Sequence, residues 1–359
     1  MVLALAPGAL TNPDGRAPDP MRPARSPRAA VTAAARWYFR GGQASGAGRA
    51  LPFYCDATYI GNFAVAPDQL AAGGDTATFR LFITLSMYQA LKDVVIMRQQ
   101  RALPRVAMRI IADVGTVGHA VATHACPAMR SAEAFANGCD VSKRAGRVDC
   151  ASSPGVPCHV KDATVAFNRM GDMGRLPTSA WLLLWKNGGV RRMLAEVCRQ
   201  ESSPAIRAVL LVERFAKVHR VGRKLATMFV SALSTPALAP GLTPWFPAVD
   251  GNELVVVDTN LARAVDTLCD PGASRTYDAR ELWIREQAAT LDLAEIRPDL
   301  PRYSPRLLQQ ALYAFCSRSN RVAAGDSCAR RSTPCAACAP VLCPFAQRLS
   351  SCSNRRPDR

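Results

Sequence analysis

Along most of the chain, apolar residues recur at spacings of three and four, the period of a helix with one buried face. "AAVTAAARWYF", Ala29 to Phe39, shows the pattern first. "TATFRLFITLSMYQALKDVVIMRQQRAL", Thr76 to Leu103, predicts one or two apolar helices joined near Ala90 to Asp93. From roughly Gly115 to Arg175 the period fades into Gly, Cys and Ser, which reads as an insertion on a helical scaffold. "SAWLLLWKNGGVRRMLAEVC" resumes helix, with a break at Asn187-Gly188-Gly189, where two glycines interrupt the propensity.

Downstream the signals are sharper. Ser203 is an N-cap candidate and Pro204 suits the first helical turn, so "AIRAVLLVERFAK" predicts a helix to about Lys217. After "VHRVG", Leu225, Met228, Phe229 and Ala232 define one apolar face of a second helix. A Pro- and Gly-rich loop, Pro236 to Gly251, leads through "ELVVVD" to a helix faced by Leu261, Ala264, Val265 and Leu268. Further helices are expected at "ARELWIREQAATL" and "SPRLLQQALYAFCSRSN". Strand signals are scarce and no internal repeat is visible. The fold class read from this pattern is mainly α.

Composition narrows the partner. The 359 residues carry 45 Lys and Arg against 28 Asp and Glu, a formal charge of +17. Such an excess favours a polyanion, because cations that neutralise phosphates release condensed counterions; an anionic membrane surface would attract the same charge. No run of 18 apolar residues exists, so no membrane span is expected. Residues 1–27, rich in Pro, Arg, Ala and Gly, are expected to be disordered, and residues 353–359 form a basic tail. "MVLALAPGAL" is apolar but short and lacks a positive leading region, so a cytoplasmic protein is expected, nucleoid-associated in a bacterial cell.

The 13 cysteines are an odd number in a large chain, which opposes a secreted disulfide scaffold. Four of them, Cys328, Cys335, Cys338 and Cys343, fall in "CARRSTPCAACAPVLC" with spacing C-x6-C-x2-C-x4-C. A disulfide knot, a tetrahedral zinc site and an iron–sulfur cluster are the competing readings. A second group, Cys126, Cys139, Cys150 and Cys158, lies with His119, His124 and His159 in the irregular stretch. Buried free thiols and an additional zinc are the alternatives there.

Two further stretches carry chemistry. In "KVHRVGRKLATMF" a short turn exposes backbone N–H groups at a helix start, ringed by Lys217, Arg220, Arg223 and Lys224, with Gly222 permitting a tight turn or close approach. A solvated basic helix start accounts for the same residues. In "VVVDTNLARAV", Asp258 ends an apolar run just before a helix, which alone is the ordinary place for a helix-capping carboxylate.

Taken in order, "FITLSMYQALKD", "VGRK", "VDTNLAR" and the C-terminal cysteines resemble the endonuclease III family of DNA glycosylases, in the helix-hairpin-helix superfamily. The resemblance covers roughly Phe79 to Asp93 and Ser203 to Phe345. It implies two helical domains flanking a DNA-binding cleft, with a helix-hairpin-helix motif at 204–233 and a C-terminal iron–sulfur loop. One domain would be built from residues 28–78 and 236–352, the other from 79–235 with the insertion at about 115–175. It implies a [4Fe–4S] cluster on Cys328, Cys335, Cys338 and Cys343; the last spacing is one residue short of the family pattern, leaving Cys316 or Cys352 as alternative ligands. The implied catalytic residues are Lys224, the Schiff-base nucleophile, and Asp258, the carboxylate. Gln89 would fill the space left by a flipped nucleotide, while Arg220, Gly222, Arg223, Arg330 and Arg331 would contact DNA. The implied partner is double-stranded DNA with a damaged base or abasic site, bound by a monomer with no membrane. Two departures stand out: the family hairpin Leu-Pro-Gly-Val-Gly is Val218-His219-Arg220-Val221-Gly222, and the histidine after Asp-Thr is Asn260. The rival readings are a non-catalytic DNA-binding protein that keeps this fold, and a zinc-bearing nucleic-acid-binding protein.

Overall fold

The computed structural model describes residues 27–41, 51–142, 149–167, 170, 172–269 and 272–317. Among these residues the regular structure is helical, with no strand. Cys328, Cys335, Cys338, Cys343, Cys352, Arg330 and Arg331 lie outside the described residues, as do both expected tails except Pro27.

The first helix, α1 (Pro27–Arg36), precedes two short helices, α2 (Ala57–Ile60) and α3 (Pro67–Ala71). The long apolar stretch forms two helices, α4 (Asp75–Ser86) and α5 (Asp93–Ala102), joined through residues 87–92. Next come α6 (Arg105–Ala112) and α7 (Val114–Thr123). Then α8 (Ala132–Gly138), α9 (His159–Ala166) and α10 (Leu176–Ala180) follow. Helices α11 (Gly189–Gln200), α12 (Pro204–Phe215) and α13 (Arg223–Ser234) are consecutive. The last described helices are α14 (Thr259–Leu268), α15 (Tyr277–Ala289) and α16 (Pro305–Cys316).

The caps explain several of these starts. Ser203 Oγ accepts the Ile206 N–H with Pro204 at the first turn, and Ser304 Oγ accepts the Leu307 N–H ahead of Pro305. Each satisfies a donor that the first helical turn leaves without an intrahelical partner. The break before α11 is made by Gly188 and Gly189, at φ +95° and +64°. A Cβ on Gly189 would sit 2.4 Å from both carboxylate oxygens of Asp75, whose Oδ1 accepts the Val190 N–H at 3.0 Å. Gly189→Ala therefore combines a left-handed backbone with loss of the bond tying α11 to α4. It is expected to destabilise the protein by about 2 kcal/mol, read from the urea unfolding midpoint.

Two hydrophobic cores form. The larger is built around an aromatic cluster in which Phe82 lies 5.2 Å from Phe215 and 5.0 Å from Phe229, with Trp185 and Trp245 completing it. Each such ring pair contributes about 0.5–1.5 kcal/mol beyond its burial. This cluster locks α4 against α12 and α13, which fixes where the chain leaves α4. The second core gathers Val31, Ala34 and Ala35 of α1 with Leu261 and Val265 of α14, Ile284 of α15 and Leu308 and Leu312 of α16. The apolar run before Asp258 forms no strand: Leu254 belongs to the first core, and Val255 and Val257 to the second. It is the crossing between them.

Two stretches bear on how the chain is organised. Among the described residues, the stretch 115–175 carries helices and packs into the first core through Val117, Val121, Phe135, Val160 and Phe167. Its period was hidden by small residues that allow close approach: a Cβ on Gly118 would meet the Trp181 indole nitrogen at 2.6 Å. Residues 28–78 divide between the cores among the described residues. The first helix joins the second core, while Ile60, Phe63, Val65 and Leu70 are buried in the first. Among the described residues, no helix is long and apolar enough to cross a membrane.

Candidate functional site

The connection between α12 and α13 is a tight turn rather than an open loop. Val218 N–H bonds Phe215 O and Val221 N–H bonds Val218 O at 2.9 Å, while both valines are buried. Burying them pins the turn to the core and leaves Lys217, Arg220 and Gly222 exposed. The left-handed position is Arg220, at φ +64°, not Gly222, which is extended at φ −99°. A glycine is thus absent where the backbone would favour one, and the turn forms nonetheless. Gly222 has nothing within 4 Å of where a Cβ would stand, so the start of α13 is open to an approaching group. Arg220→Gly is expected to relieve backbone strain while removing an exposed cation. Thermal unfolding should show stability unchanged or raised by up to ~1 kcal/mol.

Three of the residues named from the sequence converge here. Residues 87–92 leave α4 beside this turn, and Ala90 within them has φ +62°. Gln89 Nε2 donates to Ser86 O at 2.6 Å and to Arg220 O at 3.3 Å. Lys224 Nζ donates to Tyr88 O at 3.2 Å. Gln89, Arg220 and Lys224 are thereby brought together from opposite ends of the first core.

Asp258 stands at the end of the crossing between the cores, within reach of the Lys224 charge. It caps α14, its Oδ1 accepting the Leu261 N–H at 2.7 Å. Burial pushes its carboxyl above the ordinary value, and the nearby Lys224 cation pulls it back down. No direct ion pair joins Lys224 and Asp258 among the described contacts, yet each lies within reach of the other's charge. The capping role and the reach to Lys224 coexist in one side chain.

Arg223 is placed differently from the sequence expectation. Its guanidinium pairs with Asp278 at 2.5 Å and Glu281 at 2.6 Å, and lies over the Tyr277 ring at 4.9 Å. It braces α13 against the acidic first turn of α15 instead of presenting a free cation. Sequence reasoning also missed Tyr88, whose contribution is a backbone carbonyl and so carries no side-chain signal, and Arg306. Arg306 is buried, donates to Ser231 Oγ at 2.9 Å and to Gln309 Oε1 at 2.5 Å, and its charge reaches Asp258. Burial holds the guanidinium pKa down at about 10.

The cysteines of 115–175 are free thiols, half-buried against the first core. Burial pushes the Cys139 and Cys158 thiols up, and Cys139 lies within reach of both Cys126 and Cys158. His124 uses both ring nitrogens on backbone groups, accepting the Cys126 N–H at 2.9 Å and meeting Pro157 O at 3.0 Å. Among the described residues, no group of three or more His, Cys, Asp or Glu is placed to hold a metal ion. Set against known protein families, curated proteins and solved structures, the chain shows no match.

Proposed function

We propose that this chain is a DNA base-excision glycosylase with AP lyase activity, acting on a damaged base, an oxidised pyrimidine by family default. The observation that supports the reading is the reach of the Lys224 cation to the Asp258 carboxyl, beside a turn whose exposed charged side chains are basic. Order and spacing of the sequence motifs supply the rest, together with a net charge suited to a polyanion.

In this reading the α12–α13 turn is the helix-hairpin-helix element, and Gly222 and the α13 start receive a backbone phosphate. The target nucleotide is rotated out of the stack, because its glycosidic bond is inaccessible within the duplex. Gln89, held by Arg220 O, fills the space it leaves. The Lys224 amine forms a bond to C1′, and the C1′–N bond breaks with its electron pair leaving on the base, which takes up a proton. Asp258 stabilises the positive charge that develops at the sugar and relays the proton lost by the amine. Ring opening gives a Schiff base, from which loss of the C2′ proton expels the 3′ phosphate. The C-terminal cysteines would hold an iron–sulfur cluster as a structural group, and no step passes through it.

The test is a panel of duplexes, each with one lesion, incubated with the full chain. Release of a free base from a damaged pyrimidine duplex, with cleavage of the abasic product, is the expected result. Tight duplex binding with neither reaction would leave a non-catalytic DNA-binding protein instead.

A further inference from the structure

Where α4 ends, the chain turns out of the first core, and the last turn of a helix leaves carbonyls with no intrahelical partner. Side-chain amides supply partners from both sides. Half-buried Gln89 donates from Nε2 to Ser86 O at 2.6 Å. From the core side Gln100, 0% exposed on α5, donates from Nε2 to Thr84 O at 3.0 Å and to Met87 Sδ at 3.3 Å. Its Oε1 accepts the Tyr88 hydroxyl at 3.3 Å. These partners fix the orientation of the amide, because flipping it would set oxygen against the Thr84 carbonyl. The Tyr88 ring is also held edge-on by Phe53, with centroids 5.4 Å apart.

We infer that Gln100 is a positioning residue of this site: by ending α4 from inside the core and anchoring the Tyr88 hydroxyl, it sets where the Tyr88 carbonyl meets the Lys224 amine. Each link in the path is a hydrogen bond. Lys224 Nζ donates to Tyr88 O at 3.2 Å, the Tyr88 hydroxyl donates to Gln100, and Gln100 donates to the last turn of α4. Just beyond, Ala90 stands at φ +62°, a backbone region costly to a residue with a Cβ, which persists only where its surroundings hold it. The bonds from Gln100 on one side and from Gln89 to Arg220 O on the other provide that hold. A buried glutamine is a costly way to fill a core, since an amide taken from water must recover its hydrogen bonds. Here the recovered bonds go to Thr84, Met87 and Tyr88, the stretch that delivers the carbonyl to Lys224. What the placed amine does rests on the function proposed above; the clamp does not.

Competitive acetylation of the full chain under native conditions, read by mass spectrometry, compares the reactivity of Lys224 with that of exposed Lys217 near the same turn. Gln100→Met keeps the volume and removes the amide. Tyr88→Phe keeps the ring and the carbonyl and removes only the hydroxyl. The ratio of Lys224 to Lys217 labelling should rise about fivefold in Gln100→Met, roughly what freeing one hydrogen bond allows, and by less in Tyr88→Phe. A ratio unmoved in Gln100→Met overturns the inference, since a contact that only stabilises the core lowers the urea midpoint and leaves the lysines of the folded chain as they were. Should Gln100→Met fail to fold, an unmoved ratio in Tyr88→Phe overturns it instead. No DNA enters this measurement. A raised ratio in a protein whose wild type forms no covalent adduct with an abasic duplex removes the function and leaves the clamp standing.

Discussion

Lys224→Ala is expected to reduce borohydride trapping on an abasic duplex to background while leaving duplex affinity within about threefold of wild type. The Lys224 side chain donates one hydrogen bond, to Tyr88 O, and lies half-buried at the start of α13, so its removal opens no large cavity. Losing one such bond costs about 1 kcal/mol, too little to unfold the domain. The nucleophile, by contrast, has no substitute at that position: Arg220 and Arg223 flank it, and a guanidinium does not form a Schiff base with an aldehyde under these conditions. Asp258→Asn separates the partner role. It keeps an oxygen for the Leu261 N–H, so α14 remains capped, but it can neither accept a proton nor offset developing charge. Single-turnover rates should fall by roughly 10²–10⁴-fold. Retained trapping in Lys224→Ala would reject the assigned nucleophile outright.

The second large effect concerns stability. His159, 6% exposed at the start of α9, has an Nε2 with no hydrogen-bond partner, and burial, aided by the His124 charge, lowers its pKa to about 4. An unfolded histidine titrates near ~6.5, so between that value and about 4 the unfolded chain binds a proton that the folded chain refuses. Stability is then fully present above ~6.5 and is lost as pH falls through this window. One such group accounts for about 3 kcal/mol over the full window. His219 acts in the same direction, its pKa lowered to about 4 by burial and then by Arg175. His159→Phe should flatten the dependence of unfolding free energy on pH across this range, leaving the His219 contribution. Denaturant unfolding at half-unit pH steps measures it directly. An undiminished slope in His159→Phe would mean that other groups dominate.

Much of the fold was legible because its signals are local. Ser203 with Pro204, and Ser304 followed by Pro305, marked helix starts by satisfying nearby N–H groups, and the faces on α13 and α14 repeat within a few turns. Helices α7 and α9 were missed because Gly118 and its small neighbours bury little area of their own and serve instead as seats for Trp181. For the candidate site, local pattern marked only a basic helix start at Arg220 and Lys224 and a helix-capping carboxylate at Asp258; it was the family resemblance that singled out Gln89, Lys224 and Asp258. What no local pattern carries is pairing at a distance. Arg223 was expected to contact DNA; its partners Asp278 and Glu281 arrive 55 and 58 positions later, beyond any local pattern. Tyr313 meets Asp93 across 220 positions. Arg220 in a left-handed turn is a subtler case: the glycine signal was absent, yet buried Val218 and Val221 hold the turn, so backbone strain is offset by packing.

The account turns on which amine meets the sugar. Wild-type protein trapped with borohydride on a duplex bearing one abasic site can be digested with a protease and a nuclease, and the modified peptide sequenced by mass spectrometry. The account predicts a deoxyribose remnant on Lys224 and on no other lysine. A remnant on the neighbouring Lys217, or a chain that binds the duplex and yields no covalent product, would contradict it.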